Sequence, residues 1–183
     1  MVVILMGVAG AGKTTIGQLL ATDLGWRFYD GDEFHPQANI DKMRQGIALI
    51  DDDRDSWLAA LQHLIHKLLC ESQPAVIACS ALKQSYRDRL LSDKQEVRFV
   101  YLKGDYDLIR KRLQERQGHF MKANLLTSQF DTLEEPEGAL TVDVAQEPQA
   151  IVSLIRRELG LSKTEVTSKE SNDRENVGGC DEP

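Results

Sequence analysis

The chain is short of cysteine, of positive charge and of long apolar runs, and each shortage removes a class of function. Three cysteines in 183 residues, Cys70, Cys79 and Cys180, leave an odd one and show no metal-ligand spacing, so neither a disulfide framework nor a zinc site is expected. They read as reduced thiols of a cytosolic protein, and Cys79, set in an apolar run, as a small core residue rather than a nucleophile. Lysine and arginine number 22 against 29 acids, a net charge of −7. That balance argues against a nucleic-acid-binding surface while leaving room for a local basic pocket. No stretch approaches the ~20 apolar residues of a membrane helix. The apolar start is not taken as a cleaved leader, because no basic residue precedes it and cleavage would destroy the motif that follows.

Glycine, by contrast, is concentrated near the start. Gly7-Val8-Ala9-Gly10-Ala11-Gly12-Lys13-Thr14 fits the phosphate-binding pattern G-x-x-x-x-G-K-[ST]. In that pattern glycines let the backbone N–H groups point inward at a nucleotide phosphate, the lysine adds a cation near the β- and γ-phosphates, and the hydroxyl serves Mg²⁺. With glycine at roughly 7% of residues, chance places the pattern in about 1% of chains this long. The setting is also the one required. Val2 to Met6 is a buried strand by its apolar run, and Lys13 to Leu24 a helix with Ile16, Leu19, Leu20 and Leu24 on one face and Gly25 as its stop.

Further strands are expected at Trp26 to Tyr29, Ala75 to Cys79, Val97 to Leu102 and Leu140 to Val144. Helices are expected at Ser56 to Ser72, from a cap at Ser80 through Leu90, at Asp105 to Glu115 and at Pro148 to Leu159. The segment from Asp30 to Asp53 is polar. Strands alternating with helices imply a mostly parallel sheet covered on both faces, with ligands at the carboxyl ends of the strands. A domain over residues 1–160 is followed by a tail, 161–183, with almost no apolar content, read as disordered.

The polar residues after each strand are therefore the ones to examine. Asp30 and Asp32 can hold Mg²⁺ and accept a hydrogen bond from an attacking hydroxyl, or form an Asp-Gly turn with capping acids. Arg54 is the odd residue among Asp51, Asp52, Asp53 and Asp55, explained by a salt bridge or a substrate contact. Lys83 and Arg87, four apart, share a helix face and reach either an anion or solvent. Arg110 to Arg112, then Arg116 to Phe120, suit a lid that closes over phosphates, or simply favourable charge at a helix end. His63 and His66 face solvent on the long helix. His35 is a polyol contact or a structural hydrogen-bonding group.

In its motifs the chain resembles the gluconokinase family of small P-loop kinases, relatives of shikimate kinase and of the nucleoside monophosphate kinases. The matching segments after the loop are WRFYDGDEFHP (26–36), NIDKM (39–43), Asp53-Arg54 with Trp57-Leu58, ACSALK (78–83), Tyr86-Arg87-Asp88, GHFM (118–121), Ser128-Gln129-Phe130 and Leu133-Glu134 with Pro136. ACSALK with YRD, and GHFM with SQF, are specific to the family, whereas the loop alone specifies only the wider class. Small departures are Ala9 and Ala11, where serines are common, and Asp55-Ser56, where a proline often precedes the tryptophan.

The resemblance implies a P-loop three-layer α/β/α sandwich with a five-stranded, mostly parallel sheet and a mobile lid around residues 112–130. It implies Mg²⁺-dependent transfer of the ATP γ-phosphate to the 6-hydroxyl of D-gluconate in a cytoplasmic enzyme, a homodimer, with no nucleic acid or membrane partner. Gly7, Val8, Ala9, Gly10, Ala11, Gly12, Lys13, Thr14 and Thr15 match the nucleotide-binding positions, joined by Arg112 and Arg116. Thr14 and Asp30 match the metal side, and Lys13, Asp32 and Arg116 the catalytic groups. Asp32, His35, Arg54, Ser80, Lys83, Arg87, His119 and Gln129 match positions near the sugar acid. Other readings from the residues are a related kinase for another polyhydroxy acid or a nucleoside monophosphate, and a nucleotide-dependent switch. The paired acids after the second strand are unnecessary for the switch.

Overall fold

The computed structural model describes residues 1–91, 96–115 and 123–163. All five residues of β1 (Val2–Met6) are fully buried. A strand without polar alternation needs cover on both faces, and β1 has it as the centre of a five-stranded parallel sheet of order β2-β3-β1-β4-β5. Its neighbours are β3 (Ala75–Ala78) and β4 (Val97–Lys103), and the edges are β2 (Arg27–Asp30) and β5 (Leu140–Asp143). Val2 pairs with Ala75 on one side and Val97 on the other.

Side-chain alternation along the strands divides the core in two. Val3, Leu5, Val76, Val100 and Val142 pack with Leu20 and Leu24 of α1 (Lys13–Leu24) and Ile151 and Ile155 of α7 (Pro148–Leu159). Val2, Ile4, Met6 and Ile77 pack with Trp57, Leu61, Ile65 and Leu68 of α3 (Asp51–Cys70) and Leu90 of α4 (Gln84–Leu90). Each fully buried Leu or Ile contributes roughly 1.5–3 kcal/mol, so these contacts, more than helix propensity, hold the outer layers on the sheet. The result is the expected three-layer sandwich. Cys79 lies in the second core, and burial pushes its thiol up to about 12, which makes it a packing residue and not a nucleophile.

Four stretches differ from the sequence expectation. The polar segment after β2 contains a single 3₁₀ turn (Gly31–Phe34) and a helix, α2 (Gln37–Gln45). α2 was invisible to periodicity because its one buried residue, Asn39, is polar. α3 begins at Asp51 instead of Ser56, since the Asp53 carboxylate accepts from the Ile50 N–H and closes the first turn. Ser80 is not a helix cap: α4 starts at Gln84 after Lys83, because Ala81 takes a left-handed φ of 41° and Ser80 gives its carbonyl to Gly7 N–H. The stretch around 112–130, expected as a lid with no helix assigned beyond Glu115, overlaps α6 (Ala123–Thr132), which follows α5 (Tyr106–Glu115) in the chain. Among the described residues no helix is long and apolar enough to cross a membrane.

Candidate active site

The loop between β1 and α1 is built around backbone states that side chains resist. Gly7, Gly10 and Gly12 hold φ of 142°, 85° and 96°, open to glycine and strained for other residues. A Cβ at Gly7 would stand 2.8 Å from the Leu102 carbonyl, and one at Gly10 2.9 Å from Leu113. The loop is thus wound tightly against β4 and α5. Lys13 curls over it, its Nζ donating to the carbonyls of Gly7 and Val8 at 2.9 and 3.0 Å. At the first turn of α1, Thr14 Oγ1 donates to Asp30 Oδ2 at 3.0 Å, and Asp30 Oδ1 accepts from Asp32 N–H at 3.1 Å. A hydroxyl and a carboxylate side by side, beside a loop made for phosphate, are a fitting donor set for Mg²⁺ completed by phosphate oxygens and water. Among the described residues no group of three or more His, Cys, Asp or Glu is placed to hold a metal ion by itself.

One cleft joins the loop to the end of β2. It is lined by Ala9, Lys13, Asp32, His35, Arg54, Trp57, Ser80 and Gln129, with Leu49, Leu82 and Leu125 as apolar wall. His35 is nearly buried and stacks on Trp57 with ring centroids 4.5 Å apart. Burial holds its pKa below the usual histidine value, against an upward pull from Asp32 and with a smaller downward push from Arg54. The Asn39 amide, within 3.3 Å of His35 Nδ1, donates to it, which puts the proton of the neutral ring on Nε2. Gln129, on α6, accepts the Ala9 N–H of the phosphate loop at 2.6 Å.

Arg54 reaches the cleft from the first turn of α3. Its Nη1 donates to the Leu49 carbonyl at 2.7 Å, and its guanidinium lies 5.7 Å from the centre of the Tyr86 ring. Asp51 ties this corner together. It accepts from Lys83 Nζ at 2.7 and 2.8 Å and from the Tyr86 hydroxyl, and its carboxylate is 3.8 Å from Arg54. The Lys83 bond, then the Tyr86 bond, keep Asp51 below the usual carboxylate range, and Asp51 in turn raises Lys83. Lys83 is not among the residues that line the cleft, and its Nζ lies 5.6 Å from the centre of the Tyr86 ring.

Arg87 is not brought to the cleft. It is 2% exposed and donates to the Ala81 and Leu82 carbonyls at 3.0 Å and to Gln84 Oε1 at 2.7 Å. Its guanidinium locks the loop between β3 and α4, so the expected anion contact is replaced by a structural one. Arg112 faces a second cleft, on the other side of the phosphate loop, with Gly10, Gly12, Thr15, Val144, Gln146 and Pro148, and donates to the Val144 carbonyl at 2.8 Å. Arg116, His119 and the segment 164–183 lie outside the described residues. Sequence reasoning missed Asn39, Trp57 and Tyr86 as builders of the site. Trp57 counted there only as a matched position, and its N–H, which needs an acceptor when buried, was the one available signal.

A family model described as shikimate kinase matches residues 9–149. The thermosensitive gluconokinase of Escherichia coli (strain K12) is 49% identical over 73% of this chain and 72% of its own length. A probable gluconokinase of Xenopus tropicalis is 41% identical over 87% of this chain and 93% of its own. Among solved structures, a gluconokinase from Sinorhizobium meliloti 1021 superposes with a TM-score of 0.76 at 40% identity, covering 86% of this chain and 94% of that one.

Proposed function

This chain belongs to the gluconokinase family, within the wider shikimate kinase group, and on that premise we propose that it transfers the γ-phosphate of ATP to the 6-hydroxyl of D-gluconate, giving 6-phospho-D-gluconate and ADP. The observation that carries this reading is the single cleft in which the phosphate-loop lysine, Asp32, His35 and Arg54 converge. A phosphate loop at one end sets the donor, and a carboxylate, a neutral imidazole N–H and a guanidinium at the other suit an acceptor with several hydroxyls and one carboxylate.

Phosphoryl transfer passes through a loose transition state, so alignment and charge neutralisation outweigh strong base catalysis. In this scheme Lys13 leaves the loop carbonyls for the β- and γ-phosphate oxygens. Thr14 and Asp30 would hold Mg²⁺, which would supply neutralisation of the phosphate charge. Asp32 accepts the hydrogen bond of the 6-hydroxyl and aims it at the γ-phosphorus. Arg54 takes the carboxylate of the sugar acid, and His35 Nε2–H, Ser80 and Gln129 take hydroxyl oxygens. Lys83 acts through Asp51 by holding Arg54 in place, and Arg87 by fixing the loop that carries Ser80. Arg112 lies on the nucleotide side. The same membership leads us to expect a cytoplasmic homodimer, checked by light scattering of the purified protein.

An ADP-release assay across gluconate, other aldonates, shikimate and nucleoside monophosphates tests the proposal. Saturable turnover with gluconate is expected. Turnover with AMP or GMP and none with gluconate would overturn it.

A further inference from the structure

Trp57 is 1% exposed, and both of its directed contacts fall on the segment that carries the site's acids. Its indole Nε1–H donates to the Gly31 carbonyl at 2.7 Å, at the residue between Asp30 and Asp32. Its ring stacks on His35, planes 12° apart, at the exit of the same turn. The turn has no slack on its other side, where a Cβ on Gly31 would meet the Ala78 carbonyl at 2.6 Å. A ring of contacts returns to α3. Asn39 Nδ2 meets His35 Nδ1 and donates to the Asp53 carbonyl at 2.5 Å, and Asp53 lies one helical turn before Trp57.

A leucine or phenylalanine would bury apolar surface here without the hydrogen bond. An indole N–H demands an acceptor once buried, and the one it has fixes the peptide plane that leads into Asp32. We propose that Trp57 is a positioning residue for the acceptor: through the Gly31 carbonyl and the His35 ring it sets where Asp32 and His35 stand in the cleft. The inference rests on the acceptor reading given above. Displacement of a reacting group by about 1 Å costs on the order of 10²-fold in rate. The hydrogen bond therefore acts first on kcat: the phosphate loop follows β1, on the other side of β3, and meets this peptide through the Asp30 carboxylate, whose position the strand fixes independently.

Trp57→Phe keeps a ring against His35 and removes the donor. The expected result is a kcat for gluconate lower by about tenfold or more, with KM for ATP within about twofold of the parent. β-(3-Benzothienyl)alanine at position 57, which exchanges N–H for sulfur in a ring of the same size, gives the same loss, and serves if the phenylalanine variant does not fold. Ile65→Ala, about 12 Å further along α3, lowers Tm yet keeps kcat within about twofold. The proposal is overturned if both position-57 variants keep the parental kcat. It is likewise overturned if KM for ATP rises as kcat falls, or if Ile65→Ala loses as much kcat. A parent that phosphorylates gluconate beside indifferent position-57 variants defeats this inference alone, whereas a parent inactive on gluconate defeats the functional reading and this inference with it.

Discussion

At the scale of single residues, Lys13 and Asp32 line one cleft, and Thr14 donates to Asp30 beside it. The roles proposed for these groups follow from residue type beside a phosphate loop. Asp32→Asn should lower kcat by about 10²-fold or more while leaving KM for ATP near its parental value, since only the hydroxyl-facing acceptor is lost. An unchanged kcat in steady-state assays would remove Asp32 from the reaction. Lys83 and Arg87 were paired by their spacing, but Lys83 is extended, with φ −91° and ψ 150°, and sits before the helix that Arg87 belongs to. Spacing says which residues share a face only when both are helical. His35 has a consequence for stability. Its folded pKa is lowered, chiefly by burial, so below pH 6.5 the unfolded chain takes up the proton first and stability falls with pH until the folded pKa is reached. Asp32 opposes and Arg54 reinforces this effect. Between pH 7.5 and 5 the Tm of His35→Asn should fall less than that of the parent in thermal melts.

At the scale of elements, legibility followed apolar content. β1, α1 and α7 were readable from their apolar pattern, and α1 and α7 have the expected bounds. α2 and α6 were not legible. α2 buries an asparagine whose amide is consumed by His35 and Asp53, and α6 falls mostly in the stretch 112–130 that was read as a lid, with no helix assigned to it. The fine structure of the site depends on these two helices, which explains why its lining was foreseen only in part. The phosphate loop gives a sharp test at this scale. Gly10→Ala must hold a Cβ at φ 85° and 2.9 Å from Leu113, a strain of about 1–3 kcal/mol. KM for ATP should rise by roughly tenfold or more, with a smaller change in KM for the acceptor. Equal rises for both substrates would mean that the loop serves the whole cleft and not the nucleotide alone.

For the whole molecule, the sheet was predictable because five short apolar runs alternate with helices, and that pattern admits few architectures. Strand order and the division of the core into two layers depend on contacts between distant segments, which one sequence does not display. Stability and catalysis should separate at this level. Ile155→Ala empties a fully buried position on α7, in the core layer that does not hold Trp57. It should cost about 2–5 kcal/mol and lower Tm by roughly 5–15 °C, while kcat measured well below the transition stays near the parental value. A proportionate fall in kcat would show that the α7 layer is coupled to the reaction centre.

The central strand carries a less obvious constraint. Its odd-numbered side chains belong to one layer and its even-numbered ones to the other, so adding or removing a single codon there trades the occupants of both layers at once and shifts the phosphate loop by about 3.3 Å. Only changes of two residues preserve the allotment, and five residues leave no space for them. Length variation among natural versions of this protein should therefore collect in its connecting loops and spare that strand altogether.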